Sequence, residues 1–167
     1  DPRYPVPQHI CEITNGLIDQ NVLHFDKSAN DDMTLTYHDS CNVARASSMG
    51  GIMGGQFTIP RKIIQTVANN FYDMDDETIR EKTYCCGGGG GLLTDDLMEL
   101  RVKGALPRME ALKHLIEEKG VTHMAAICAI CKSQFSKVFQ YYDLELDQIV
   151  SLHQLVSNAL IMNKKEV

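Results

Sequence analysis

Six cysteines, at positions 11, 41, 85, 86, 128 and 131, hold most of the reactive chemistry in this 167-residue chain. Two are adjacent and run into five glycines in TYCCGGGGG at 83–91, and two more stand as Cys128-Ala-Ile-Cys131. Adjacent cysteines suit a structural disulfide poorly, and a glycine run loses much conformational entropy when it is ordered. The C-x-x-C pair lets two thiolates bind one metal centre and, taken alone, also fits a thioredoxin-like dithiol. The glycines have the spacing of neither a P-loop nor a dinucleotide fingerprint. No secretory pattern opens the sequence, and the chain is long enough to bury a core without staples. Metal or redox chemistry is therefore the better expectation than a disulfide framework.

The elements that must position these thiols follow from periodicity. HICEITNGLI at 9–18 spaces Ile10, Ile13 and Leu17 as an opening helix. MTLTY alternates from Met33 to Tyr37 as a strand that ends at HDSC. IPRKIIQTVANNF places Pro60 at a helix start, with Ile63, Ile64, Val67 and Phe71 on one face. A short strand is expected to run into Cys85. Thr94 reads as the N-cap of a helix that breaks or kinks at Pro107, resumes through Met109, Leu112 and Ile116, and stops at Gly120. VTHMAAI is a strand delivering Cys128, SKVFQYY is helical, QIVSL is a further strand, and HQLVSNALIM closes with a helix.

Strands alternating with helices predict an α/β fold, a mostly parallel sheet with flanking helices. Sites in such sheets form beyond the carboxyl ends of the strands. Cys41, Cys85 with Cys86, and Cys128 each follow a predicted strand, so the cysteines are expected to converge at the strand C-terminal ends. His38 and His153 fall at the same edge. A structural zinc is satisfied by four ligands, which five converging cysteines exceed. A multi-iron cluster accommodates five thiolates more naturally, with glycine N–H groups free to donate to its sulfurs. The alternatives are a zinc-stabilised interaction module and buried inert thiols.

Composition narrows the class further. The net charge is −6 with no lysine or arginine run, which gives no support to nucleic-acid binding, and no apolar stretch is long enough to span a bilayer. His38 is a candidate proton donor to a departing thiolate, or a strand-end hydrogen-bonding group. His153 reads as structural, Cys11 as a small buried hydrophobe on the first helix, and His114 with 117–119 as a solvated face. Arg45 and Lys132 are cations able to offset thiolate charge or meet an anionic partner. The proline-rich opening DPRYPVPQ suggests that 1–30 is a connector plus N-terminal helix ahead of a cysteine-rich domain over 31–167, cut from the C-terminal part of a longer protein.

TYHDSC at 36–41, CCGGGGG at 85–91, CAICKSQF at 128–135 and HQLV at 153–156 resemble the cysteine-rich CCG domain of heterodisulfide reductase catalytic subunits, most closely its DsrK-type branch. The resemblance covers most of 33–160. It implies a non-cubane [4Fe-4S] cluster ligated by Cys41, Cys85, Cys86, Cys128 and Cys131, with Gly87 and Gly88 beside it. It also implies reductive cleavage of a sulfur–sulfur bond at that cluster. The implied substrate is a disulfide or trisulfide on a small DsrC-like sulfur carrier protein. The other partners are subunits of a membrane-bound redox complex, which would hold this chain at the membrane on the cytoplasmic side. Electrons would arrive through cubane clusters in a ferredoxin-like region outside these residues. This sequence departs from the family pattern in its longer spacers, in Ser40 replacing the common proline, and in carrying one CCG motif where the reductase subunits carry two.

Overall fold

The computed structural model describes residues 3–4, 7–91, 93–145 and 148–162. Its centre is a three-stranded parallel sheet of β1 (Leu35–Tyr37), β2 (His123–Ala126) and β3 (Ile149–Ser151), in that spatial order. Thr36 pairs with Met124 and Ala125 with Val150. A parallel sheet covered on both faces asks for apolar strands, and every residue of β1 is buried. Successive side chains point to opposite faces, so the sheet feeds two cores. Leu35, Tyr37 and Ala125 face one core with α1 (Ile10–Asp19), α3 (Gly55–Val67) and α6 (Leu152–Ala159). Met124 faces the other, among Met109 and Leu112 of α4 (Met98–Lys119) and Phe135 and Val138 of α5 (Ala129–Val138). The short α2 (Cys41–Ala46) follows β1. The result is the expected α/β architecture in three layers. Cys11 and Ile18 build α1 into the first core.

Several predicted elements take a different form. No strand leads into Cys85: residues 76–82 form two 3₁₀ turns and 83–86 are irregular. The stretch is rich in charge and lacks strand alternation, and its backbone bonds close local turns or go to side chains instead of a ladder. What flanks β1 on that edge is one residue, Phe71, bridged to Leu35. α3 starts at Gly55, after a left-handed Gly54 with φ of 78°, so Pro60 lies inside it and not at its start. α4 runs continuously past Pro107. The carbonyl that Pro107 frees is that of Lys103, on the exposed side of the helix where water can bond it. Thr94 precedes a 3₁₀ turn that leads into α4 but makes no side-chain cap bond. Gly120 ends α4 as expected, with φ of 63°. Part of the proline-rich opening, at 1–2 and 5–6, lies outside the described residues. No helix among the described residues is long and apolar enough to cross a membrane.

Candidate functional site

β1 and β2 end side by side: Tyr37 pairs with Ala125, and the His38 N–H donates to the Ala125 carbonyl at 2.9 Å. Each chain then turns directly into a helix. Ser40 precedes α2, whose first residue is Cys41, and Cys128 precedes α5, with Cys131 in its first turn. Two adjacent strands thus deliver three thiols to one edge, as open parallel sheets do with their binding residues.

Cys85 and Cys86 reach this edge on a loop fastened from outside the sheet. Asp39 anchors it: its carboxylate accepts from the Arg80 N–H at 2.9 Å and its carbonyl accepts from Thr83 Oγ1 at 2.7 Å. The same carboxylate is held in a two-pronged ion pair by Arg61 of α3, at 2.9 and 2.7 Å, and Arg61 also reaches Asp73. Arg45 of α2 donates to the Glu81 and Thr83 carbonyls, so this cation secures the approach to the thiols.

The sulfurs meet pairwise. Cys86 lies near enough to Cys131 across the fold, and to Cys85 beside it, for each neighbour to perturb its thiol. The Gly87 N–H points at Cys85 Sγ at 3.3 Å and the Gly88 N–H at Cys86 Sγ at 3.4 Å. Cys128 packs on the same apolar cluster as Cys86 and Cys131, while Cys41 is the half-buried first residue of α2. The Cys131 contact and then burial hold the Cys86 thiol up at about 12, and the Cys86 contact with burial raises Cys85 as well. The Cys85 and Cys86 thiols therefore keep their protons at neutral pH, and a metal centre would have to displace them.

The glycines also allow a close backbone approach. Gly87 lies against α4 with φ of 85°, where a Cβ would stand 2.5 Å from the Arg101 carbonyl oxygen and 2.7 Å from the Ala105 nitrogen. Across the contact, a Cβ on Gly104 would meet Gly87 Cα at 3.3 Å. Arg101 and Gln134, both buried, lock α4 to α5 beside this point through bonds of 2.8 and 3.2 Å. A cavity of about 250 Å³ opens next to it, with Cys85, Gly87 and Gly89 on one side and Leu97, Leu100, Arg101 and Gly104 on the other.

Among the described residues no three His, Cys, Asp or Glu side chains are gathered to hold one metal ion. Cys85, Cys86 and Cys131 adjoin one another, and the five motif cysteines exceed the four donors of a tetrahedral ion, a donor set that suits a multi-iron group. Orphaned polar atoms mark the same place. His38 is fully buried with neither ring nitrogen bonded, and Ser40 Oγ beside Cys41 has no partner. Burial, and then the charge of Arg108, hold His38 well below its ordinary pKa, so it stands neutral with its ring edge-on to Phe135.

The remaining predicted residues separate cleanly. His153 bonds Thr14 at 3.2 Å in a structural role, and His114 faces Glu118 on an exposed helix surface. Cys11 is buried in the first core, its thiol raised to about 12 by burial and then by Glu12. Sequence reasoning missed Asp39, Arg61, Thr83, Arg101 and Arg108. Asp39 stood inside the TYHDSC motif, which was the available signal. The arginines gave none, because arginine in a helix reads as surface until the fold shows otherwise.

The cysteine-rich CCG domain family matches residues 35–136. The chain is 43% identical over 154 residues to the Hdr-like menaquinol oxidoreductase iron-sulfur subunit 2 of Archaeoglobus fulgidus, and equally to the corresponding iron-sulfur subunit of Archaeoglobus profundus. Each alignment covers 92% of this chain and 26% of the relative, so the chain spans about a quarter of those proteins. No solved structure matches it. With the family match spanning the thiols from Cys41 to Cys131, the chain belongs to the CCG cysteine-rich domain family.

Proposed function

We propose that this chain is the iron–sulfur redox domain of a heterodisulfide reductase-like oxidoreductase subunit. In this reading Cys41, Cys85, Cys86, Cys128 and Cys131 hold a non-cubane [4Fe-4S] cluster, and the substrate is a disulfide or trisulfide on a small sulfur carrier protein. The observation that carries it is the grouping of Cys85, Cys86 and Cys131 beneath two glycine N–H donors, at the carboxyl edge of the sheet. The names of the Archaeoglobus relatives extend the reading to a multisubunit complex in which other subunits exchange electrons with a quinol. Those subunits would keep this domain at the cytoplasmic face of a membrane.

Reductive cleavage of a disulfide consumes two electrons and two protons and yields two thiols. A bound cluster supplies the one-electron steps at sulfur. The residues of this chain supply the surroundings. Gly87 and Gly88 aim N–H dipoles at the ligand sulfurs, which favours the thiolate form. Cys85, on the exposed side, borders the cavity through which a sulfur substrate approaches. His38 holds one proton at a ring nitrogen that no protein group occupies. Asp39, through Thr83 and Arg80, keeps the CCG loop over the strand ends.

Iron and acid-labile sulfide analysis of anaerobically purified protein tests the proposal. Several irons per chain with matching sulfide are expected, and Cys86→Ser abolishes the paramagnetic signal of the oxidised cluster. A colourless protein holding a single zinc, or a Cys86→Ser spectrum identical to wild type, rejects it.

A further inference from the structure

Arg108 is the largest fully buried side chain among the described residues, with 0% exposure. Its neighbours are an unusual set for a buried cation. Nη2 donates to the Thr78 carbonyl and to Thr83 Oγ1, the latter at 3.1 Å, and Nη1 lies against Met74 Sδ. The guanidinium carbon stands 5.7 Å from the centre of the Tyr84 ring, and Nε is buried with no partner. None of these groups is an anion. Among the described residues no carboxylate lies within ion-pair distance of Arg108, whereas Arg61 has Asp39 and Asp73, and Arg101 has Asp95. Asp39 supplies the strongest negative charge that Arg108 feels, but it makes no contact with it, its carboxylate being held by Arg61 and the Arg80 N–H. A buried charge without a counter-charge is strongly unfavourable, so a cation retained in this setting calls for an anion.

The surroundings identify that anion. Thr83 and Tyr84, which contact Arg108, lead directly into Cys85 and Cys86. Arg108 interacts electrostatically with Asp39 first, then with Tyr84 and with Cys131 in α5, and its charge is felt at His38 at the end of β1. The guanidinium therefore sits behind the point where the CCG loop, the end of β1 and the start of α5 meet. Five thiolates bring more negative charge there than an oxidised [4Fe-4S] core neutralises. We infer that Arg108 is the internal counter-charge of the metal centre, a positioning residue that stabilises the reduced, more negative state and so raises its reduction potential. The inference rests on the proposed iron–sulfur reading. Burial lowers the guanidinium to about 10, still well above neutrality, so it is charged whenever the protein works.

The test is an EPR-monitored redox titration of the cluster-loaded protein, purified anaerobically with its partner subunits, as wild type and three variants. Arg108→Met removes the charge and lowers the one-electron reduction equilibrium roughly tenfold, which is about 59 mV for a single electron. Arg108→Lys keeps the charge and stays near wild type. Met74→Glu leaves the arginine in place but sets a carboxylate against it, and lowers the potential as Arg108→Met does. Cluster retention by the lysine protein but not the methionine protein also supports the assignment. Unchanged potentials in Arg108→Met and Met74→Glu overturn it, as does cluster loss in both the Lys and Met variants, which marks a scaffold role. A wild type without iron and sulfide refutes the underlying functional reading instead.

Discussion

Gly87→Ala is the sharpest probe of how the CCG loop is seated. Gly87 has φ of 85°, and an added Cβ would stand 2.5 Å from the Arg101 carbonyl, 2.7 Å from the Ala105 nitrogen and 3.0 Å from Gln134 Nε2. Two of these atoms belong to the α4 backbone, which cannot rotate away as a side chain can. The left-handed backbone costs about 1–2 kcal/mol for an alanine. Forcing the methyl group against a packed helix adds about 1–3 kcal/mol. Gly90 provides the control: its φ is 69° but nothing lies within 4 Å of its Cβ position, so only the backbone cost applies. The difference between the two variants is thus about 1–3 kcal/mol from overpacking alone. At about 2–4 °C per kcal/mol for a domain of this size, Gly87→Ala should melt roughly 6 °C below Gly90→Ala. Calorimetry at matched metal loading measures this. Because the Gly87 N–H faces Cys85 Sγ at 3.3 Å, the variant should also hold less iron after gel filtration. Equal melting temperatures for the two variants would refute the close packing of the loop on α4.

Two further perturbations test the scaffold around the thiols. Asp39→Asn breaks the buried pair with Arg61 and weakens the anchor of the Arg80–Thr83 turn. The expected loss is about 3 kcal/mol in urea unfolding, and a loss below about 0.5 kcal/mol would show that the pair carries no weight. His38 is buried neutral, its pKa lowered first by burial and then by Arg108, so below pH 6.5 the unfolded chain binds a proton that the folded chain does not. Its contribution to stability is therefore complete above pH 6.5 and falls with acidification below it, by about 1.4 kcal/mol per pH unit until the folded-state value is reached. His38→Asn should flatten the stability profile below pH 6.5. An unaltered slope in that variant assigns the acid sensitivity to another group.

The alternation of apolar strands and helices was legible in the chain because periodicity is local: MTLTY, VTHMAAI and QIVSL each contain an observed strand. Placing Cys41 and Cys128 after β1 and β2 followed from that order and from the general behaviour of parallel sheets. The approach to Cys85 was misread as a strand. Beyond its local turns it is held by Asp39, Arg45 and Arg108, at least 30 positions away in sequence, and no local pattern announces them.

The sequence by itself determined which groups are available: six thiols, a glycine run that permits positive φ and close approach, and a strand–helix order that points reactive residues to one edge. Tertiary structure decided how those groups meet. It set Cys86 against Cys131, pressed Gly87 onto α4, and enclosed Arg61, Arg101 and Arg108 inside helices whose sequence suggests they face water. The physical reason is that burial, dielectric and the distance between charges belong to pairs of elements, so they exist only once helices and loops have packed around the sheet.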